Sequence, residues 1–107
     1  MDQANAALAN LEDAPLVASA VRNSLDYFAK MLPGKSVELR VPPYRVVQIL
    51  GGTTHRRGTP PATVEMSPET WLNLSIGRID WHSATASGQI QASGTGSDLS
   101  QYLQINN

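Results

Sequence analysis

The sequence of 107 residues has no cysteine, few aromatic side chains and no excess of charge of either sign. Without cysteine it can form neither a disulfide nor a thiolate zinc site, and the composition fits a reducing compartment. The net charge of −1 creates no general attraction for nucleic acid or for an anionic membrane. No apolar run approaches the roughly 20 residues of a membrane span, and the start MDQANAALANLEDAP lacks the features of a signal peptide. We therefore expect a cytoplasmic protein without stable membrane insertion.

A chain of this length forms one domain around one hydrophobic core. Residues 1–13 are rich in alanine and asparagine and only weakly patterned, so we interpret them as an N-terminal tail or a frayed helix. Residues 14–107 are expected to form the single domain. There are no internal repeats and no low-complexity linker that would divide it.

The first strong helix signal follows Asp13, which offers an N-cap, and Pro15 suits the first helical turn. Pro33-Gly34 ends the pattern. Between these points an apolar stripe with a period of about 3.6 residues predicts a helix that faces the core. The stripe consists of Leu16, Val17, Ala20, Val21, Leu25, Phe28 and Leu32.

Several segments have the composition or the alternation of β-strands. They are SVELRV, YRVVQIL, TTHRRG, ATVEM and QIQASG. YRVVQIL is apolar on both faces and is therefore expected to be the more central strand, whereas the polar TTHRRG fits only an edge. Pro42-Pro43 interrupts the first two strands, through either a cis bond in a tight turn or a wider loop.

Two short segments, each ending at a glycine, hold both tryptophans of the chain. Ser67 and Asp80 are suitable N-caps for two short helices there, and Ser97 or Asp98 begins a last helix. The apolar strand faces need a cover, which only the helices can supply. The sequence thus predicts an α+β domain with two layers, in which helices cover one face of an antiparallel or mixed sheet of about five strands.

The sequence shows no catalytic or metal-binding signature. His55 and His82 are far apart and have no metal-ligand spacing, and no nucleophile–base pair is recognisable. The G-x-G in SGTGSD fits a turn with a helix cap better than a phosphate-binding loop. We therefore expect no enzyme activity, no metal and no cofactor.

The densest basic cluster comprises His55, Arg56 and Arg57. Charge that protects an edge strand is its simplest explanation. The alternatives are an anchor for an acidic head group at the mouth of a pocket, or a contact with a partner. One basic run without interleaved aromatic residues does not indicate nucleic-acid binding.

The order of these segments resembles the small sterol carrier family proteins of actinobacteria, within the superfamily of sterol carrier protein type two. The resemblance covers roughly residues 14–105 and rests on SVELRVPPYRVVQ, HRRGTPPATVE, TWLNLSIGRIDWHSATASGQIQASG and DLSQYL. The wider superfamily pattern is matched by Gly77-Arg78-Ile79, Ala84, Gly88 and QIQASG.

The resemblance implies a five-stranded sheet covered by helices, with an apolar tunnel between the layers that takes sterols or fatty acyl groups. It supplies no catalytic residue. Some members of the superfamily are accessory domains beside enzymes, where they serve contact or architecture. The animal carriers close the tunnel with an extended C-terminal segment, whereas this sequence stops at QYLQINN, so an open or reduced cavity is expected.

The first functional hypothesis is a non-catalytic binder or carrier of a lipid-like small molecule, namely a sterol, a fatty acid or an acyl group. The alternative is an interaction or dimerisation module, forming a homodimer or docking to a partner enzyme, with no ligand. The same apolar residues could also simply fill the core. The predicted pocket residues are Leu25, Phe28, Met31, Trp71, Leu72, Ile76, Trp81, Ala84, Ile90, Leu99 and Tyr102.

Overall fold

The structure, a computed structural model, describes residues 2–51 and 62–103. The helices are α1 (Asp2–Ala9), α2 (Ala14–Met31), α3 (Pro68–Ser75) and α4 (Trp81–Ala86). The strands are β1 (Val37–Val41), β2 (Arg45–Ile49), β3 (Ala62–Met66) and β4 (Ile90–Ser93). The predicted α+β class is confirmed.

The four strands form one mixed sheet in the order β2-β1-β3-β4. β1 runs antiparallel to β2 and parallel to β3, and β3 runs antiparallel to β4. Among the described strands β2 pairs with β1 alone, and the prediction that the YRVVQIL strand is more central stays a prediction. The sequence predicted about five strands, and the expected edge strand TTHRRG lies outside the described residues.

The sheet has one apolar and one polar face because side chains alternate along each strand. In β1, Val37, Leu39 and Val41 are buried, whereas Glu38 and Arg40 lie on the other face. β3 repeats this pattern with buried residues at its first, third and fifth positions. The alternation in the sequence therefore identified the face that the helices cover.

The connection between β1 and β2 contains the double proline. The Pro42-Pro43 peptide bond is cis, which is one of the two expected arrangements. The backbone N–H of Tyr44 donates to the carbonyl oxygen of Val41 at 3.0 Å and closes the turn. The turn places β2 antiparallel to β1 although neither proline can donate a hydrogen bond.

α2 is the long helix that the stripe predicts. The Asp13 side chain caps it by accepting from the backbone N–H of Leu16 at 3.1 Å, and Leu32 is the C-cap. None of the described helices has the length and apolar character needed to cross a membrane.

The segment before α2 is a packed helix and not the expected tail or frayed end. Ala4 and Ala7 of α1 are buried in the main core, and α1 contacts α2 and α3. Alanine side chains let helices approach closely, which explains how a segment with so weak a pattern contributes to the core.

The predicted C-terminal helix is described only as far as Leu103. Residues 100–102 form a turn, and the N–H groups of Tyr102 and Leu103 donate to the carbonyl oxygen of Leu99 at 3.0 and 3.3 Å. Leu99 and Leu103 are buried in the main core, as their apolar character suggests. The rest of the predicted helix lies outside the described residues.

Candidate functional site

Most of the predicted pocket residues meet in the apolar layer between the sheet and the helices. The buried ones are Leu25, Phe28, Trp71, Leu72, Trp81, Ala84, Ile90 and Leu99. Ile76 and Tyr102 are half-buried and pack against the same core. Met31 is 48% exposed and lies apart from the buried residues, so its assignment to the pocket stays a prediction. It stands in the last turn of α2, whereas the next residue, Leu32, packs against the core.

Trp71 joins α3 to α2. The Ser67 side chain caps α3 by accepting from the Thr70 N–H at 3.2 Å, which fixes the start of the helix one turn before the indole. The indole Nε1 donates to Ser24 Oγ at 2.8 Å, and Trp71 is only 1% exposed. The ring of Phe28 meets the indole edge-on, with centroids 5.3 Å apart and an interplanar angle of 69°.

Ser24 is the residue of this site that sequence reasoning missed. It is buried, and its Oγ donates to the Ala20 carbonyl oxygen at 2.7 Å while accepting from the indole of Trp71. The available signal was its position three residues after Val21 and four before Phe28, which places a hydroxyl within the apolar stripe. A buried hydroxyl needs a partner, and here it supplies one to the tryptophan.

α4 brings Trp81 and Ala84 to the same layer. Asp80 caps this helix, since its Oδ1 accepts from the Ser83 N–H at 2.7 Å. α4 packs against β4, whose Ile90 is buried in the same core. The two tryptophans thus reach the apolar layer from two separate short helices, as the sequence predicted, while the N-cap of α4 stays at the surface.

The carboxyl group of Asp80, which caps α4, has a shifted pKa. The backbone N–H and then the hydroxyl of Ser83 hydrogen-bond the carboxylate, and together they lower the pKa of Asp80 below its usual 3.8. The positive charge that His82 carries when protonated acts in the same direction. A carboxylate with a lowered pKa stabilises the fold above the pKa of the unfolded chain, and this contribution disappears as the pH falls through the folded value.

This shift predicts that α4 is sensitive to acid. Asp80→Asn keeps a side-chain oxygen for the cap but removes the titration. We expect the difference in melting temperature between the wild type and Asp80→Asn to decrease as the pH falls from neutral to below 3.8. Thermal unfolding followed by circular dichroism would measure it. A difference that does not change with pH would contradict the role of the carboxylate.

The polar face of the sheet carries ion pairs and open clefts. Arg40 Nε lies 2.6 Å from Glu38 Oε1, and its Nη1 lies 4.0 Å from Glu65 Oε1. A cleft of about 440 Å³ is lined by Arg40, Thr63, Glu65, Ile90, Gln91, Ala92 and Ser93. A second cleft of about 400 Å³ is lined by Pro42, Glu65, Met66, Ser67, Pro68, Thr70, Gln89 and Gln91. Polar and apolar side chains line both clefts, so neither has the wholly apolar lining that the sequence predicts for the pocket.

The remaining predicted residues cannot be placed. His55, Arg56 and Arg57 lie outside the described residues, so their assignment to a head group or partner contact stays a prediction. Within residues 2–51 and 62–103, no group of three or more histidine or carboxylate side chains could hold a metal ion.

Comparison with known proteins agrees with this architecture. The family model described as bacterial SCP ortholog, where SCP denotes sterol carrier protein, matches residues 13–105. A search of curated proteins found no match. An actinobacterial origin stays a prediction. Because the family match spans most of the 107 residues, the chain belongs to the bacterial sterol carrier protein-like family.

Proposed function

We propose that this protein is a non-catalytic carrier of an apolar small molecule, such as a sterol, a fatty acid or an acyl group. In this proposal the protein works in the cytoplasm and holds its ligand between the sheet and the helices. The family membership supports an apolar ligand. The single observation that carries the location is the convergence of α2, α3 and α4 on one apolar face of the sheet. Burial of an acyl chain there would contribute about 0.8 kcal/mol for each methylene group.

Ligand entry requires one of the covering elements to move. Trp71 and Leu72 are fully buried in α3, and the indole is hydrogen-bonded to α2, so α3 is firmly held. α4 has only six residues and packs mainly on β4. In this proposal α4 shifts away from the core, and the ligand contacts Trp81 and Ala84 in the space that opens. Ile76 and Tyr102, which are half-buried, form part of its rim.

Titration with a fluorescent fatty acid tests this proposal. We expect about one probe per chain, a negative heat-capacity change from apolar burial, and a change in tryptophan emission. Ala84→Phe should block binding, because its ring would occupy the space beneath α4. Ala86→Phe is the matched control, since Ala86 is exposed on the same helix, and it should bind as the wild type does.

An interaction module without a ligand is the second candidate function. The almost complete burial of Trp71, Leu72 and Leu99 in the core favours it, because a permanent cavity beside these side chains would cost core contacts. Native mass spectrometry of protein purified from its own host separates the two. A retained lipid supports the carrier, whereas a dimer or a bound enzyme without lipid supports the module. Absence of stoichiometric probe binding would overturn the carrier proposal.

A further inference from the structure

The end of α2 combines exposed apolar side chains with both lysines of the chain. Tyr27 is 53% exposed and Met31 48% exposed, although both are large and lie one helical turn apart on one face. We name this surface the α2-end patch. It consists of Tyr27, Lys30, Met31, Pro33 and Lys35, all exposed.

The α2-end patch carries a local positive charge, although the net charge of the whole chain is −1. No acidic residue lies between Asp26 and Glu38 in the sequence. Both of these carboxylates are engaged elsewhere, Asp26 with Arg45 at 3.1 Å and Glu38 with Arg40 at 2.6 Å. Neither lysine forms an ion pair with another described residue. The positive charge of Lys30 also interacts favourably with the negative C-terminal end of the helix dipole. That interaction explains neither Lys35 nor the apolar neighbours.

The chain that carries the patch is fixed to the end of β2. The Leu50 N–H donates to the Leu32 carbonyl oxygen at 2.9 Å, and the Ser36 N–H donates to the Leu50 carbonyl oxygen at 3.0 Å. Gly34 lies so close to Leu50 that a β-carbon would not fit between them. The segment from Met31 to Lys35 is therefore presented in one defined conformation. A preorganised surface loses little conformational freedom when it binds.

We propose that the α2-end patch docks the protein reversibly on an anionic membrane surface. A tyrosine, a methionine and a proline can enter the interfacial region, while two long lysine side chains reach the head-group phosphates. The charge complementarity selects anionic lipids, since the patch has cations and no free carboxylate. The inference deepens the proposed function, because a carrier of an apolar molecule meets the membrane in which that molecule dissolves.

The docking is expected to be weak and sensitive to salt. Each lysine near an anionic surface contributes about a fivefold increase in affinity, so the pair contributes roughly 30-fold. At about 0.1 M salt, interactions between exposed charges more than about 10 Å apart are largely screened, so added salt weakens the docking. Two cations and a small apolar surface give a transient contact and not an anchor, which suits a protein that must leave again with its ligand.

Vesicle co-sedimentation of the full chain tests this proposal. The wild type should bind vesicles that contain phosphatidylglycerol, and added salt should release it, while pure phosphatidylcholine should bind it weakly. Lys30→Gln with Lys35→Gln should reduce binding to the anionic vesicles by roughly 30-fold. Tyr27→Ser with Met31→Ser should also weaken it, with the salt dependence unchanged. Since all four side chains are exposed, these variants should keep the wild-type melting temperature.

Arg22→Gln is the matched control for a single Lys30→Gln. Arg22 is exposed on the same helix, but it lies nine residues before Met31 and therefore on the opposite side. It should change binding by less than about twofold, because the charge is removed far from the docking surface. If Arg22→Gln and Lys30→Gln weakened vesicle binding equally, binding would depend on the overall positive charge and not on the α2-end patch. That result would overturn the proposal.

The outcomes also separate this inference from the proposed carrier function. Fatty-acid binding in solution should be the same in the lysine variants and the wild type. Vesicle docking without fatty-acid binding would refute the carrier and leave the docking surface standing. If the wild type does not bind phosphatidylglycerol vesicles, the docking proposal is overturned. Lysine-dependent binding to polyglutamate would then point to an acidic protein partner.

Discussion

Replacing Trp71 with alanine should lower the free energy of unfolding by about 3–5 kcal/mol. The indole is fully buried, its edge-on contact with Phe28 would be lost, and Ser24 would lose the donor that it accepts from. Removal of so large a side chain leaves a cavity that the surrounding helices can fill only in part. Denaturant unfolding followed by circular dichroism measures the loss without relying on the removed fluorophore.

Two milder substitutions separate packing from hydrogen bonding at this position. Trp71→Phe keeps an aromatic ring but removes the N–H, so it should cost clearly less than alanine. Ser24→Ala keeps the indole but leaves Nε1 without its acceptor, which should cost about 1–3 kcal/mol. A loss below about 1 kcal/mol for Trp71→Ala would contradict the role of α3 as a firmly held cover of the sheet.

Gly34→Ala should lower the free energy of unfolding by about 2–6 kcal/mol, combining steric overlap with backbone strain. A β-carbon at Gly34 would lie 1.7 Å from the carbonyl oxygen of Leu50, and the residue has a φ of +147°. The atom in the way belongs to the backbone that joins β2 to the end of α2, so no side chain can rotate aside. Thermal and denaturant unfolding would both report the change.

Gly88→Ala isolates the conformational part of that cost. Gly88 has a φ of +81°, but a β-carbon there would meet nothing within 4 Å. Alanine at this position should therefore cost only about 1–2 kcal/mol. If Gly34→Ala costs no more than Gly88→Ala, then the close contact that fixes the α2-end patch is not present in solution.

The predictions for Trp71, Gly34 and Gly88 relate the proposed functions to the local stability of the fold. α3 and the Gly34–Leu50 contact form the firmly held part of the molecule, whereas α4 is short and capped by an exposed carboxylate. Regions that open for a ligand are drawn from the less stable parts of a fold. A ligand entrance beneath α4 and a fixed docking surface at the end of α2 are consistent with this distribution.

The sequence by itself determined the starts of α2, α3 and α4 and the polarity of β1. Asp13, Ser67 and Asp80 act as the N-caps that were predicted, because a cap depends on residues within one turn of it. Strand alternation identified the apolar face of β1, since successive side chains point to opposite faces whatever the strand pairs with. The family match over residues 13–105 adds membership of the bacterial sterol carrier protein-like family.

Only the tertiary structure decided how these elements meet. Among the described strands, β1 pairs with both β2 and β3, which the apolar character of β2 did not indicate, because pairing between distant segments leaves no local signal. The apolar residues of α2 could not show that Met31 is 48% exposed while the adjacent Leu32 packs against the core. Ser24 acquired its role from Trp71, far away in the sequence, because a buried hydroxyl and a buried indole satisfy each other only after the helices have packed.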